Sequence, residues 1–201
     1  MATKATKRKI LAILAGGLVL GVGTAVTLAA WNDSEFATGT FTAGSFNLEG
    51  STTSASAGYA EHDTPGTAAA ISFTAPFDNL APDDVVYAPF WVRLDATTTS
   101  PASLSAAAPT ASGANAANLS YEVYSIGSAA TCDATATAGT LVASGTTLTA
   151  FTAGAPVALS EGATAGTPGA PAQLCFVVTA ESTLAEGAQA TATWSFTATS
   201  D

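Results

Sequence analysis

Lysine is absent from residue 10 to residue 201 of this chain, and Arg93 is the only cation in that span. Phosphate backbones are held by Lys and Arg, so the composition excludes nucleic acid as a partner. An anionic membrane surface would repel such a chain for the same reason. Histidine occurs once, at His62 in "AEHDT". A zinc peptidase helix needs two histidines at i and i+4 with a Glu between them. A Ser-His-Asp triad would have to use His62 and has no G-x-S-x-G elbow to work with. "GSAATCDATATAG" (127–139) lacks the lysine of a phosphate loop. The 15 acidic residues form no distinctive catalytic pair; a solvated acidic surface accounts for them, and Asp83-Asp84 reads as a turn rather than a Ca²⁺ ligand pair. The expectation is a protein with no catalytic, cofactor or metal residues.

The charges that are present are sharply divided. Lys4, Lys7, Arg8 and Lys9 precede an almost charge-free run from Ile10 to Ala30, and every acid follows it. Basic residues ahead of an apolar segment stay cytoplasmic, so the rest is expected to be exported. The run is diluted by Gly16, Gly17, Gly21 and Gly23 and ends in Thr27-Leu28-Ala29, with small residues at −3 and −1 for a cut between Ala29 and Ala30. Residues 1–29 therefore read as a cleavable apolar signal helix, in contact with membrane only before cleavage. A retained anchor with Trp31 at the interface is the alternative. What remains from residue 30 carries one cation against 15 acids, a formal −14.

Cys132 and Cys175 are the only cysteines. In an exported chain they read as one disulfide, and with His62 they lack the spacing of a zinc site. Period-two alternation predicts strands at 45–50, 69–80, 85–99, 118–126, 171–180 and 189–200. Over 69–80 it places Ile71, Phe73, Ala75 and Phe77 on one face; over 85–94, Val86, Ala88, Phe90, Val92 and Leu94. Pro89 has no N–H for a ladder and points to an edge or a bulge. "NLAPDD" (79–84) reads as a turn. "QATATWSFTATS" has one apolar and one hydroxylated face, the pattern of an antiparallel strand with one side in water. The Ala/Thr/Ser/Gly/Pro stretches 96–117 and 128–170 read as long loops with short strands. The predicted fold class is an all-β antiparallel sandwich. Phe73, Phe77, Phe90, Trp194 and Phe196 are expected in its core; a carbohydrate platform would need exposed, coplanar aromatics such as Tyr87 and Trp91 on the face opposite Phe90.

"LAAWNDSEFATGTFTAGSFNLEGS" resembles the junction of proteins exported with a SipW-type signal peptide, the TasA/camelysin-like family. The likeness rests on Ala30-Trp31-Asn32-Asp33 and on the stretch from Phe41 to Leu48. "NLAPDDVVYAPFWV" (79–92) is similar to the family's N-L-x-P-G-D turn and following strand, with Asp83 where Gly is usual. "ATWSFTAT" (192–199) resembles its closing strand. The resemblance implies a jelly-roll sandwich, cleavage by a SipW-type signal peptidase, and secretion to the extracellular matrix or cell surface. It also implies a homo-oligomeric fibre in which the N-terminal segment of one subunit completes the sheet of the next. On this reading residues 1–29 are the signal peptide, 30–44 an arm that acts as a donor strand, and 45–201 one sandwich domain. Ala30, Trp31, Asn32, Asp33, Phe36 and Phe41 are the arm residues that would make the contacts. The alternatives are a monomeric adhesin or carbohydrate-binding module on the same sandwich, and a camelysin-type metallopeptidase.

Overall fold

A computed structural model describes residues 3–25, 34–40 and 42–201, in two compact units, Met1–Thr42 and Ala43–Asp201. The first contains one helix, α1 (Lys4–Ala25), on which Ile10, Leu11, Ile13 and Leu14 are exposed. Among the described residues no helix is long and apolar enough to cross a membrane. The expected cleavage point at Ala29 and Ala30 lies outside the described residues, as do Trp31, Asn32, Asp33 and Phe41 of the arm. Phe36 lies within them and is 95% exposed.

The second unit is all-β. Its strands are β1 (Leu48–Ser51), β2 (Val85–Leu94), β3 (Ala102–Ser112), β4 (Leu119–Ile126), β5 (Thr140–Gly145), β6 (Thr152–Ala153), β7 (Val157–Leu159), β8 (Ala172–Ala180) and β9 (Thr191–Ser200). They form a six-stranded sheet, β1-β2-β8-β4-β5-β6, and a three-stranded sheet, β7-β3-β9, with every strand pair antiparallel. One core joins the two. Val86, Ala88, Val92 and Leu94 of β2 and Leu119, Tyr121 and Val123 of β4 face Leu104 and Leu159 of the smaller sheet. The alternation read for β2, β4 and β9 is therefore the alternation observed.

Strand β8 lies between β2 and β4 and is covered on both faces, which explains its unbroken apolar run. Leu174, Phe176 and Val178 point into the inter-sheet core. Cys175 and Val177 point the other way, against Tyr124 and Ala136. There Cys175 is bonded to Cys132, as expected from the cysteine count. Pro89 sits opposite Cys175, and β1 pairs with β2 only from Trp91 to Leu94. Its missing N–H thus falls where β2 has no second neighbour in the sheet.

Two expectations need correction. Residues 69–80 are not a strand. The Thr74 N–H donates to the Tyr87 carbonyl at 2.8 Å, but the Tyr87 N–H donates back to Thr74 Oγ1 at 3.0 Å rather than to a carbonyl. Pro76 then offers no donor to continue a ladder, and the chain turns through Phe77 N–H to Thr74 O and Asn79 N–H to Pro76 O. Ile71 and Phe73 still pack on the core, whereas Phe77, expected beside them, is exposed. The second correction is β3, an 11-residue strand inside a stretch read as long loops with short strands. Its Ala and Ser residues have little β propensity of their own. Pairing with β9 along nearly its whole length supplies the order.

The turn at 79–84 is as read. Asp83 adopts φ 71°, the left-handed conformation that glycine takes without penalty and Asp tolerates better than most residues. The Asp84 carboxylate accepts from the Ala81 N–H at 2.7 Å and closes it. A second anchor fixes the entry to β9. Asn115, buried in the turn after β3, donates from Nδ2 to the carbonyls of Ala185 and Ala188, both at 3.0 Å, and its Oδ1 accepts from the Ala185 N–H at 2.8 Å.

Two carboxylates outside the core also hold turns. Asp95, just after β2, is pushed up by partial burial, but hydrogen bonds from Thr98, Thr97 and Asn47 outweigh this and hold it below its ordinary value. Asp133 is lowered by the hydroxyl and N–H of Thr135. Depressed carboxyl pKa values contribute stability that is complete above the unfolded value and is lost as pH falls through the folded one. Stability is therefore expected to decline as pH drops below about 4. In denaturant titrations across that range, Asp95→Asn should flatten the acid limb; an unchanged limb would show that Asp95 contributes nothing to it.

Candidate functional site

The two sheets are unequal, and the inequality creates the site. Strand β9 ends the smaller sheet, with Trp194 and Phe196 turned inward over β8 and β4. The Trp194 ring meets Phe176 at 5.1 Å and Tyr121 at 5.7 Å between centroids, both edge-on. Among the described residues the smaller sheet has no strand beyond β9. Among the described residues the only strand bonded to β9 is β3, so the outer row of β9 N–H and C=O groups has no strand partner.

Along this open edge runs a groove of about 500 Å³. Leu48, Glu49 and Gly50 of β1 line one side and residues 192–197 of β9 the other. Phe90, Val92 and Phe176 lie between them, and the segment from His62 to Ile71 forms part of the rim. Gly50 brings β1 close to the Phe90 ring, where a Cβ would collide with Phe90 Cζ. The groove is thus mostly apolar, with Glu49, His62 and Asp63 as its ionisable lining.

Each of these polar groups already has local duties. Glu49 Oε1 accepts from Arg93 Nε at 2.5 Å, and the Arg93 guanidinium lies 3.7 Å from the centre of the Tyr59 ring. The one cation of the second unit is therefore neutralised and stacked rather than offered to a ligand. Burial raises the Tyr59 hydroxyl pKa, partly countered by Arg93. His62 Nδ1 donates to the Thr67 carbonyl at 2.8 Å, which fixes the proton on that nitrogen. Glu61, its neighbour, accepts from Asn47 Nδ2 at 2.6 Å. Among the described residues no three His, Cys, Asp or Glu side chains come together as a metal-binding group.

Tyr87 and Trp91, the pair singled out as a carbohydrate platform, do not form an open surface. Trp91 Nε1 donates to the Ser128 carbonyl at 2.9 Å, and Tyr87 packs beside the disulfide. The loop above them is held by buried Gln173. With its amide nitrogen turned toward the carbonyls of Gly127, Ser128 and Ala130, it reaches them at 3.0, 3.2 and 3.1 Å. Phe90, Trp194 and Phe196, read simply as core, line the groove as well. The groove itself was not foreseen. Nothing in a strand's own alternation says whether its far edge is occupied.

No family model, curated protein or solved structure matches this chain.

Proposed function

We propose that this protein is a secreted, non-enzymatic structural subunit of an extracellular fibre or surface matrix, related to the TasA/camelysin-like proteins. In this reading residues 1–29 are a signal segment removed by a SipW-type peptidase, the sandwich is a jelly roll, and the arm beginning at Ala30 of one subunit adds a strand to the next. The observation that carries the reading is the open edge of β9 above an apolar groove. Strand addition to such an edge draws affinity from main-chain hydrogen bonds and selectivity from pockets for alternate side chains. Residues 30–41 span about 40 Å when extended, and a ten-residue strand such as β9 about 33 Å. Trp31, Phe36 and Phe41 supply the apolar side chains, and Phe36 is exposed. An unshielded strand edge over a groove is otherwise an aggregation liability; a dedicated occupant resolves it.

Electron microscopy of the mature chain, starting at Ala30, is the test. Deleting residues 30–36 should leave a folded β-rich monomer that makes no fibres, and an added peptide of that sequence should bind it. If the truncated chain assembles as readily as the mature one, strand donation by this arm is wrong.

A further inference from the structure

The core-facing side of the smaller sheet is accounted for; its outer side is not. Along β9 the outward residues are Thr191, Thr193, Ser195, Thr197 and Thr199, and the register sets them opposite Ser112, Thr110, Ala107, Ser105 and Ser103 of β3. Nine of these ten positions carry a hydroxyl and none carries a charge. Strand β7 adds Ala158 at the flank, opposite Ser103. Only Ser103 spends its hydroxyl within the described residues, on Asp201 at 3.2 Å. In a chain with 15 acids, a two-stranded face with none at its ten positions, and with Asp201 reaching it at the Ser103 end, is an exception that bears on where copies can touch.

We propose that this hydroxyl face is a second self-association surface, through which fibres pair side by side, face to face; the proposal rests on the fibre reading above. The occupant follows from charge and from shape. Copies carrying about −14 each repel wherever carboxylates oppose one another within a Debye length, about 8 Å at physiological salt. Stacked sheets lie about 10 Å apart. Away from its Asp201 end, a ladder without ionised groups lets two copies reach that distance without opposing charges. An antiparallel pair of strands is close to two-fold symmetric, so the same ladder can meet itself isologously, with Thr methyls in contact and hydroxyls bonded across. A neutral polysaccharide is the rival occupant. Sugar platforms rest on aromatic faces, and this surface has no aromatic residue.

The size of the face determines when pairing occurs. Two strands of about 33 Å by 5 Å each cover roughly 300 Å², well short of the 800 Å² per partner of a standard interface. A single subunit should therefore stay unpaired through this surface. Copies strung along a fibre repeat the contact many times, and avidity makes it effective.

The experiment uses the mature chain as wild type, Ser105→Lys and Ser105→Glu, at an exposed position of β3 away from the groove, imaged by electron microscopy at physiological salt. Wild type should give bundled fibres; each variant alone should give fibres of unchanged length that stay single. Mixing preformed Ser105→Lys and Ser105→Glu fibres should restore bundling, and raising the salt should abolish that rescue. Variants that bundle like wild type would overturn the proposal and leave strand donation standing. Wild-type fibres that stay single but co-sediment with an insoluble neutral glucan would overturn it in favour of the polysaccharide. Wild-type chain that forms no fibres at all would remove both readings together.

Discussion

Cys132→Ser is expected to lower the unfolding free energy by about 4 kcal/mol, the largest loss available from a single surface-proximal substitution. The bond spans 43 residues, and loop-closure entropy for a ring of that size is about 4 kcal/mol at 25 °C. For a domain of this size that corresponds to a fall in Tm of about 8–16 °C. It ties the loop after β4 to the middle of β8, the strand on which both faces of the six-stranded sheet depend. The freed Cys175 thiol remains in an apolar setting beside Tyr124 and Val177, which it tolerates as a small hydrophobe. Calorimetry of the oxidised wild type and the variant measures the difference. A loss below 1 kcal/mol would mean that Gln173 and Trp91 already restrain the loop without the bond.

Trp194 gives a paired expectation with opposite halves. Trp194→Ala empties the space against Phe176, Tyr121 and Phe73 and should cost about 3–5 kcal/mol. Trp194→Phe keeps an aromatic ring there and removes Nε1, a buried donor with no partner among the described residues. An unsatisfied buried N–H costs about 1–3 kcal/mol, so its removal offsets much of the lost ring volume. The Phe variant should therefore lie within about 1 kcal/mol of wild type in urea unfolding. If it falls as far as the Ala variant, the indole N–H has a partner and the ring's position is specified by it.

Strands with a dense apolar alternation were legible from their residues alone. Val86 to Leu94, Leu119 to Val123 and Trp194 to Phe196 carry enough buried side chain to fix their own faces. So was the disulfide, because two cysteines leave one pairing. Segment 69–80 misled for a local reason: Ile71 and Phe73 do pack inward, but Thr74 spends its hydroxyl on the neighbouring backbone and Pro76 has no donor. Alternation reports which side chains are buried, not whether the backbone between them is paired. β3 failed in the opposite sense. Its order comes from β9, about 90 residues later in the chain, and Ala-Ser-Ala sequences carry no trace of that partner. The groove was illegible for the same reason. It exists because six strands in one sheet face three in the other, and strand count per sheet is settled by long-range pairing.

Arg93 has a consequence for how the folded sandwich meets proteases. Trypsin-like proteases cut after Lys or Arg, and cleavage requires a chain segment that can enter the enzyme's cleft in extended, exposed form. Beyond residue 9 this chain offers one such residue, near the end of β2 where that strand pairs with β1, bonded to Glu49 and stacked on Tyr59. The folded sandwich is therefore invisible to an entire class of digestive enzymes. With no lysine either, it presents no side-chain amine for aldehydes or sugars to attack. A material built from such units would age slowly in a protease-rich surrounding.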